Sequence, residues 1–314
     1  MGTHRRRTRG TWPGTAAALV AGGLLLPAAS AHATEATKEA TTEASRAATT
    51  SATAVIVGGN HVVYTAANGQ TNQVFYAITG YSSDSTGRQG LQILIDDIVP
   101  IDAGPGCVHP GVDTENPGDP TKVFCELSDD SSAPRAYPRA IFNLGDGNDT
   151  ARSNFPDRRF DVYGGTGNDT LNGTRYTSNG HPNPDGLGFE NLHGGPGNDR
   201  LTNGRYMYGD DGNDILSAGN NIWGGNGNDT LTGTGAVNTL DGGSGNDTVQ
   251  GMGGRDYIYG RAGNDHLYGG TGDDDLYGNS GNDVIYGNSG NDTLVGGPGH
   301  DSLSGGPGRN RLVG

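Results

Sequence analysis

From Gly242 to Val313 the chain consists of eight consecutive nine-residue units. They read GGSGNDTVQ, GMGGRDYIY, GRAGNDHLY, GGTGDDDLY, GNSGNDVIY, GNSGNDTLV, GGPGHDSLS and GGPGRNRLV. Self-similarity at so short a period means a stack in which each unit packs only on its neighbours, and it excludes an ordinary globular core for this half of the chain. Upstream the unit recurs with irregular spacing as GGTGNDTLN from Gly164, GGPGNDRLT from Gly194, GDDGNDILS from Gly209 and GGNGNDTLT from Gly224. A shortened start, GDGNDTAR, begins at Gly145.

Each unit has two parts. Its first six residues carry glycines that can take positive φ and turn carbonyls inward. Its last three, such as Asp-Leu-Tyr, read as a minimal strand with the middle residue pointing in. Val249, Ile258, Leu267, Leu276, Ile285, Leu294, Leu303 and Leu312 hold that inward position. One turn plus one strand reverses the chain, so two units complete a coil of 18 residues. Residues one coil apart then stack at about 4.8 Å, the inter-strand spacing. Composition agrees: 43 of the 58 glycines lie in residues 144–314, together with 21 aspartates and one glutamate, Glu190. A solvated acidic surface would mix the two acids, whereas a turn this tight accepts only the shorter one.

The sixth-position aspartates fall into two columns. Asp199, Asp214, Asp229, Asp247, Asp265, Asp283 and Asp301 form the first, preceded by Asp169 and Asp149, with the irregular steps absorbed as insertions on the opposite corner. The second starts late, with Asp256, Asp274 and Asp292, and is bounded by Asn238 and Asn310. Stacked carboxylates repel one another unless cations sit between the rungs, and Ca²⁺ favours such all-oxygen surroundings. The unit resembles the repeats-in-toxin family of calcium-binding nonapeptides, G-G-x-G-x-D-x-U-x, over residues 144–314. That resemblance implies an all-β fold, a parallel β-roll (β-solenoid). It also implies several Ca²⁺ ions, each held by aspartates of two stacked turns and by glycine-turn carbonyls. The twelve aspartates named are the candidate ligands, and folding of the roll is expected to be coupled to calcium.

The rest of the chain reads differently. Residues 1–33 have the form of an export signal: Arg5, Arg6, Arg7 and Arg9, a short apolar run from Ala16 to Leu26, then A-x-A cleavage sites. The run is too short to span a membrane. Its removal deletes four arginines and no acid, taking the formal charge from −15 to −19. A secreted, extracellular protein is expected. Residues 34–52 are Thr/Ala/Glu-rich and read as a disordered linker. Short runs rich in Val, Ile, Tyr and Phe then mark residues 53–142 as a small N-terminal β cap domain ahead of the roll at 143–314. Cys107 and Cys125, the only cysteines, are expected to form one disulfide in an exported chain.

Enzyme motifs are missing. There is no H-E-x-x-H, no G-x-S-x-G elbow and no phosphate-binding glycine loop. Asp96, Asp97 and Asp102 are the clustered acids of the N-terminal region, and nothing marks them as catalytic. A strongly acidic chain with two lysines, Lys38 and Lys122, is not a nucleic-acid binder. Tyr259, Tyr268, Tyr277 and Tyr286 close four successive units, and alternate ones should stack. Three function classes stay open: a non-enzymatic calcium-binding protein, which the motifs favour, an extracellular adhesion or glycan-binding module that uses calcium structurally, or an enzyme whose active site lies in residues 53–142.

Overall fold

The computed structural model describes residues 51–58, 61–83, 89–111, 118–128, 140–154, 160–174 and 190–314. The leader, the linker up to residue 50 and the insertions at 155–159 and 175–189 lie outside the described residues. Every regular element described is a strand, and the fold is a parallel β-solenoid. Among these residues no helix is long and apolar enough to cross a membrane.

The nonapeptide period sets the register. Thr239, Tyr257, Asp275, Thr293 and Arg311 are successive partners down one sheet, and Thr248, His266, Val284 and Ser302 down the other. Upstream, shortened corners tighten the step to Asn191, Tyr206 and Asn221, and to Arg200, Ile215 and Thr230. In the regular coils the strands are longer than the three residues expected. Tyr257–Ala262 and Asp275–Ser280, for example, run on into the first three positions of the next unit. There too the backbone pairs with the coil above, Arg261 with Asn279. The core between the sheets is one aliphatic side chain per strand deep. Val249, Ile258, Leu267, Leu276, Ile285 and Leu294 are fully buried. Burying such a side chain is worth about 1.5–3 kcal/mol, so the stack adds stability rung by rung. Leu303 is only partly buried and Leu312 is 47% exposed, because no further coil covers them.

The first nine strands are β1 (Ala52–Val57), β2 (His61–Thr65), β3 (Gln73–Ser83), β4 (Gln89–Asp96), β5 (Ile101–Ala103), β6 (Cys107–Val108), β7 (Lys122–Ser128), β8 (Ala140–Asn143) and β9 (Thr150–Asn154). Strands β1 to β7 extend both sheets of the solenoid. The antiparallel pair β1–β2 lies parallel against β8, and β3 lies parallel against β9 while pairing antiparallel with β4. Beyond β4 come β7 and β6, joined directly across the pair by the Cys107–Cys125 disulfide. Here the thin aliphatic core gives way to rings: Tyr76 stacks on Phe142 at 4.1 Å, with Tyr64 and Phe160 beside them. The core runs unbroken from β1 into the roll.

Candidate metal sites

Two glycines in the regular turns are needed for close approach. At the first position, a Cβ on Gly260 would lie 2.3 Å from Oδ2 of Asp265 and 2.8 Å from the Gly278 carbonyl of the next coil. At the fourth position, Gly263 has φ 136°, and a Cβ there would fall 1.7 Å from the Gly245 carbonyl of the coil before. The glycines therefore leave a gap into which a carboxylate oxygen and a carbonyl of the following coil both project.

The aspartates stand where the period puts them, in two rows. The backbone N–H of each donates to Oδ1 of the next in its column. In the first column these bonds run from Asp149 to Asp169 (2.8 Å), Asp199 (2.7 Å), Asp214 (2.7 Å), Asp229 (2.8 Å), Asp247 (2.8 Å), Asp265 (2.9 Å), Asp283 (2.9 Å) and Asp301 (2.9 Å). In the second they run from Asn238 through Asp256, Asp274 and Asp292 to Asn310. One oxygen of each carboxylate thus ties its coil to the coil before.

The other oxygen has no such use. Oδ2 is buried without a hydrogen-bond partner in Asp149, Asp169, Asp199, Asp214, Asp229, Asp247, Asp256, Asp265, Asp274, Asp283 and Asp292. A buried acceptor left unsatisfied costs about 1–3 kcal/mol, more when charged. Repetition of the same orphan through eleven rungs marks a feature of the unit rather than a local defect. Only Asp301, at the open end of its column, is not among them. In the turns of Asp169, Asp199, Asp214, Asp229, Asp256, Asp265, Asp274 and Asp283, a glycine carbonyl of the following coil, an acceptor as well, lies beside the orphan oxygen at the first-position glycine. A donor-free gap lined by carboxylate and carbonyl oxygens fits a hard divalent cation of the calcium type. Among the described residues no three His, Cys, Asp or Glu side chains converge. A ligand set in such a gap would have to draw on paired carboxylates and main-chain oxygens.

Residues 161–176, 185–204, 206–221, 217–249, 241–276, 250–285 and 286–314 match the model of the RTX calcium-binding nonapeptide repeat. RTX calcium-binding nonapeptide repeats are thus detected across residues 161–314. The repeats in their β-roll point to a calcium-binding protein. No curated protein matches the chain. The turn bearing Asp149 precedes the matched span, yet its carboxylate joins the same RTX column.

Electrostatics follow from the burial. Desolvation, reinforced by like charges in or beside the column, raises Asp199, Asp229, Asp256 and Asp265 to about 7. Asp149, Asp214, Asp247 and Asp274 rise to about 6, again mainly through burial. Burial also raises Asp169, Asp283 and Asp292.

Two features of the RTX turns escape motif reading. The fifth-position asparagines form a second ladder outside the first: the N–H groups of Asn168, Asn198, Asn213, Asn228, Asn246, Asn264 and Asn282 each donate to Oδ1 of the asparagine one coil earlier. The period spaces these asparagines one coil apart, and the stacking direction assigns them this bond. The other feature is Asn72, which lies outside any repeat and continues the first column upstream: its N–H donates to Asp149 Oδ1 at 2.6 Å.

Proposed function

We propose that the chain is a secreted, non-enzymatic calcium-binding protein whose roll folds as it binds Ca²⁺. The eleven orphaned Oδ2 atoms along the two columns carry this reading. Without a cation each rung buries an uncompensated acceptor beside like charges of its own column. With one, the same atoms become ligands. Asp149, Asp169, Asp199, Asp214, Asp229, Asp247, Asp265, Asp283 and Asp301 would hold ions along one edge, and Asp256, Asp274 and Asp292 along the other. Secretion is supported by the form of residues 1–33 and by the paired cysteines, which suit an oxidising compartment. The absence of any nucleophile, base or cofactor motif in the sequence supports a non-enzymatic role.

An adhesion or glycan-binding role would need ring faces open to a sugar. Tyr259 stacks on Tyr277 at 5.3 Å and 11°, and Tyr268 on Tyr286 at 5.4 Å and 10°. Tyr163, His193, Tyr208 and Trp223 form a longer ladder at 4.5, 4.6 and 4.8 Å. Rings stacked this way turn their faces to one another and their edges outward, which favours the calcium-binding reading over the glycan one.

Circular dichroism of the chain without residues 1–33, titrated with calcium and with magnesium as control, tests the proposal. Strand signal should appear cooperatively at roughly 10⁻⁴–10⁻³ M calcium, the range of extracellular modules, and not with magnesium. A fully ordered chain in excess chelator would overturn the coupling of folding to calcium.

A further inference from the structure

The two ends of the first column are built differently, and the upstream end shows how a rung closes without a metal. Asn72 sits at the column position of the cap, because Gln73 pairs with Thr150 as each coil pairs with the next. It is fully buried. Its backbone behaves like that of any column aspartate: its N–H donates to Asp149 Oδ1, and its carbonyl accepts from the Thr150 N–H at 2.8 Å. Its side chain does not. Where the aspartates project an acceptor toward the carbonyl of the following coil, Asn72 projects a donor. Nδ2 donates to the Leu144 carbonyl at 3.0 Å, to Asp149 Oδ1 at 3.1 Å and to the Gln70 carbonyl at 3.2 Å. Leu144 holds the position in its turn that Gly164 and Gly194 hold in theirs, so its carbonyl corresponds to those lining the orphan oxygens downstream. An amide N–H₂ amid three oxygens thus stands in a column that otherwise presents only carboxylate acceptors. Behind it the cap closes its own polar groups. Asp97 Oδ1 accepts from the N–H groups of Gln73 (2.9 Å) and Ile98 (2.7 Å), and Oδ2 accepts from the Tyr64 hydroxyl.

We infer that Asn72 takes the place of a cation at the junction of cap and roll, making this the metal-independent rung from which calcium-dependent folding of the roll proceeds. The inference rests on the calcium-binding reading of the columns and adds where metal dependence begins. Nucleating a coil is costly while extending one is not, so a preformed edge of strand and carboxylate at Asp149 gives the next coil a template. An aspartate at position 72 would restore the acceptor pattern, and would do so next to the buried Asp97, so that its rung could close only around an ion.

The test uses the chain without residues 1–33 as wild type, Asn72→Asp and Asn72→Ala, with calcium counted by equilibrium dialysis and amide exchange followed with and without chelator. In wild type under chelator, the Asn72 and Thr150 amides should stay protected while those of Asp265 and Asp283 exchange freely. Asn72→Asp should bind one additional ion per chain, lose the junction protection in chelator and regain it in calcium. Asn72→Ala should lose that protection without gaining an ion. The inference is overturned if Asn72→Asp binds the wild-type number of ions, if it stays unfolded at the junction in saturating calcium, or if the wild-type junction exchanges in chelator as fast as the roll. A wild-type chain that binds no calcium would instead overturn the reading of the columns, and junction protection would still report on Asn72.

Discussion

The backbone N–H of Asp265 donates to Oδ1 of Asp283, 2.9 Å away and one coil further on. Asp283 therefore has two duties. One oxygen pins the preceding coil, and the other, buried without a partner beside the Gly296 carbonyl of the coil that follows, would be the ligand in the proposed reading. Because interior members of a column are placed this way, neighbouring sites would share residues, and the effect of removing an aspartate should depend on what stands on either side of it.

Asp283 lies between Asp265 and Asp301, whereas Asp292 lies between Asp274 and the neutral Asn310. Asp283→Ala should remove ligands from two sites, Asp292→Ala chiefly from one, and Asn310→Ala from none. Calorimetric ion counts should fall in that order. The calcium-induced transition should weaken most in Asp283→Ala, by roughly the 3–5 kcal/mol expected when one partner of a buried charged set is lost. Equal losses from all three substitutions would mean that the aspartates act as independent local sites.

The column carboxylates also set a pH dependence. Folded values of about 6 to 7 for Asp199, Asp214, Asp229, Asp247, Asp256, Asp265 and Asp274 lie above the ordinary carboxylate value of about 3.9. Between those limits the metal-free folded roll holds more protons than the unfolded chain. Its stability is therefore greatest below about pH 4 and is lost as pH rises through 6 to 7. In chelator, strand signal should be larger at pH 5 than at pH 8. Calcium should act in the opposite sense, binding more weakly at pH 5 and releasing protons near pH 6.5, as seen in calorimetry with buffers of different ionisation enthalpy. A chelated roll less ordered at pH 5 than at pH 8 would contradict the sign.

Much of this was legible in the chain because stacking converts period into register. Spacing alone put Asp229, Asp247 and Asp265 in one column, and the pairing of Thr230 with Thr248 and Thr248 with His266 places them there. Asn72 was not legible, since it lies 77 residues from Asp149 and in no repeat. Its role appears only once β3 is seen parallel to β9. Leu312 fits the inward pattern as well as Leu294 does, yet remains exposed, because burial in a solenoid depends on having a coil above as well as below. Strand length was underestimated for a related reason. Glycine-rich turns do not look like strand, but turn residues such as Gly270 and Asn288 pair across coils regardless of their side chains.

Glycine substitutions separate crowding from flexibility. A Cβ on Gly251 would meet Asp256 Oδ2 at 2.4 Å and the Gly269 carbonyl at 2.6 Å, while one on Gly235 would meet nothing within 4 Å. Neither glycine has positive φ, so backbone strain is not at issue. Gly251→Ala should cost about 1–3 kcal/mol of roll stability in calcium through overpacking and should displace the Asp256 ligand. Gly235→Ala should be neutral or slightly stabilising through loss of unfolded-state entropy. Thermal melts at fixed calcium distinguish the two, and similar shifts for both would remove the packing explanation.

Arg261 sets two small effects against each other. Its guanidinium makes a forked contact with Asp241 and lies 4.8 Å from the Tyr259 ring centroid, on a side chain that is half exposed. Exposed ion pairs contribute about 0.2–1 kcal/mol and exposed cation–π contacts about 0.5–1 kcal/mol. Its backbone, however, is left-handed, with φ 81°, at a turn position where one stacked neighbour, Gly243, is glycine and the other, Asn279, is itself left-handed with φ 69°. That conformation costs an L-residue about 1–2 kcal/mol, and glycine very little. Arg261→Ala loses the contacts and keeps the strain, so it should lower the melting temperature in saturating calcium. Arg261→Gly loses the same contacts but relieves the strain, and should lie about 1 kcal/mol above the alanine variant, close to wild type. A glycine variant no more stable than the alanine one would show that the turn around Arg261 is unstrained and that the Asp241 contact alone holds it.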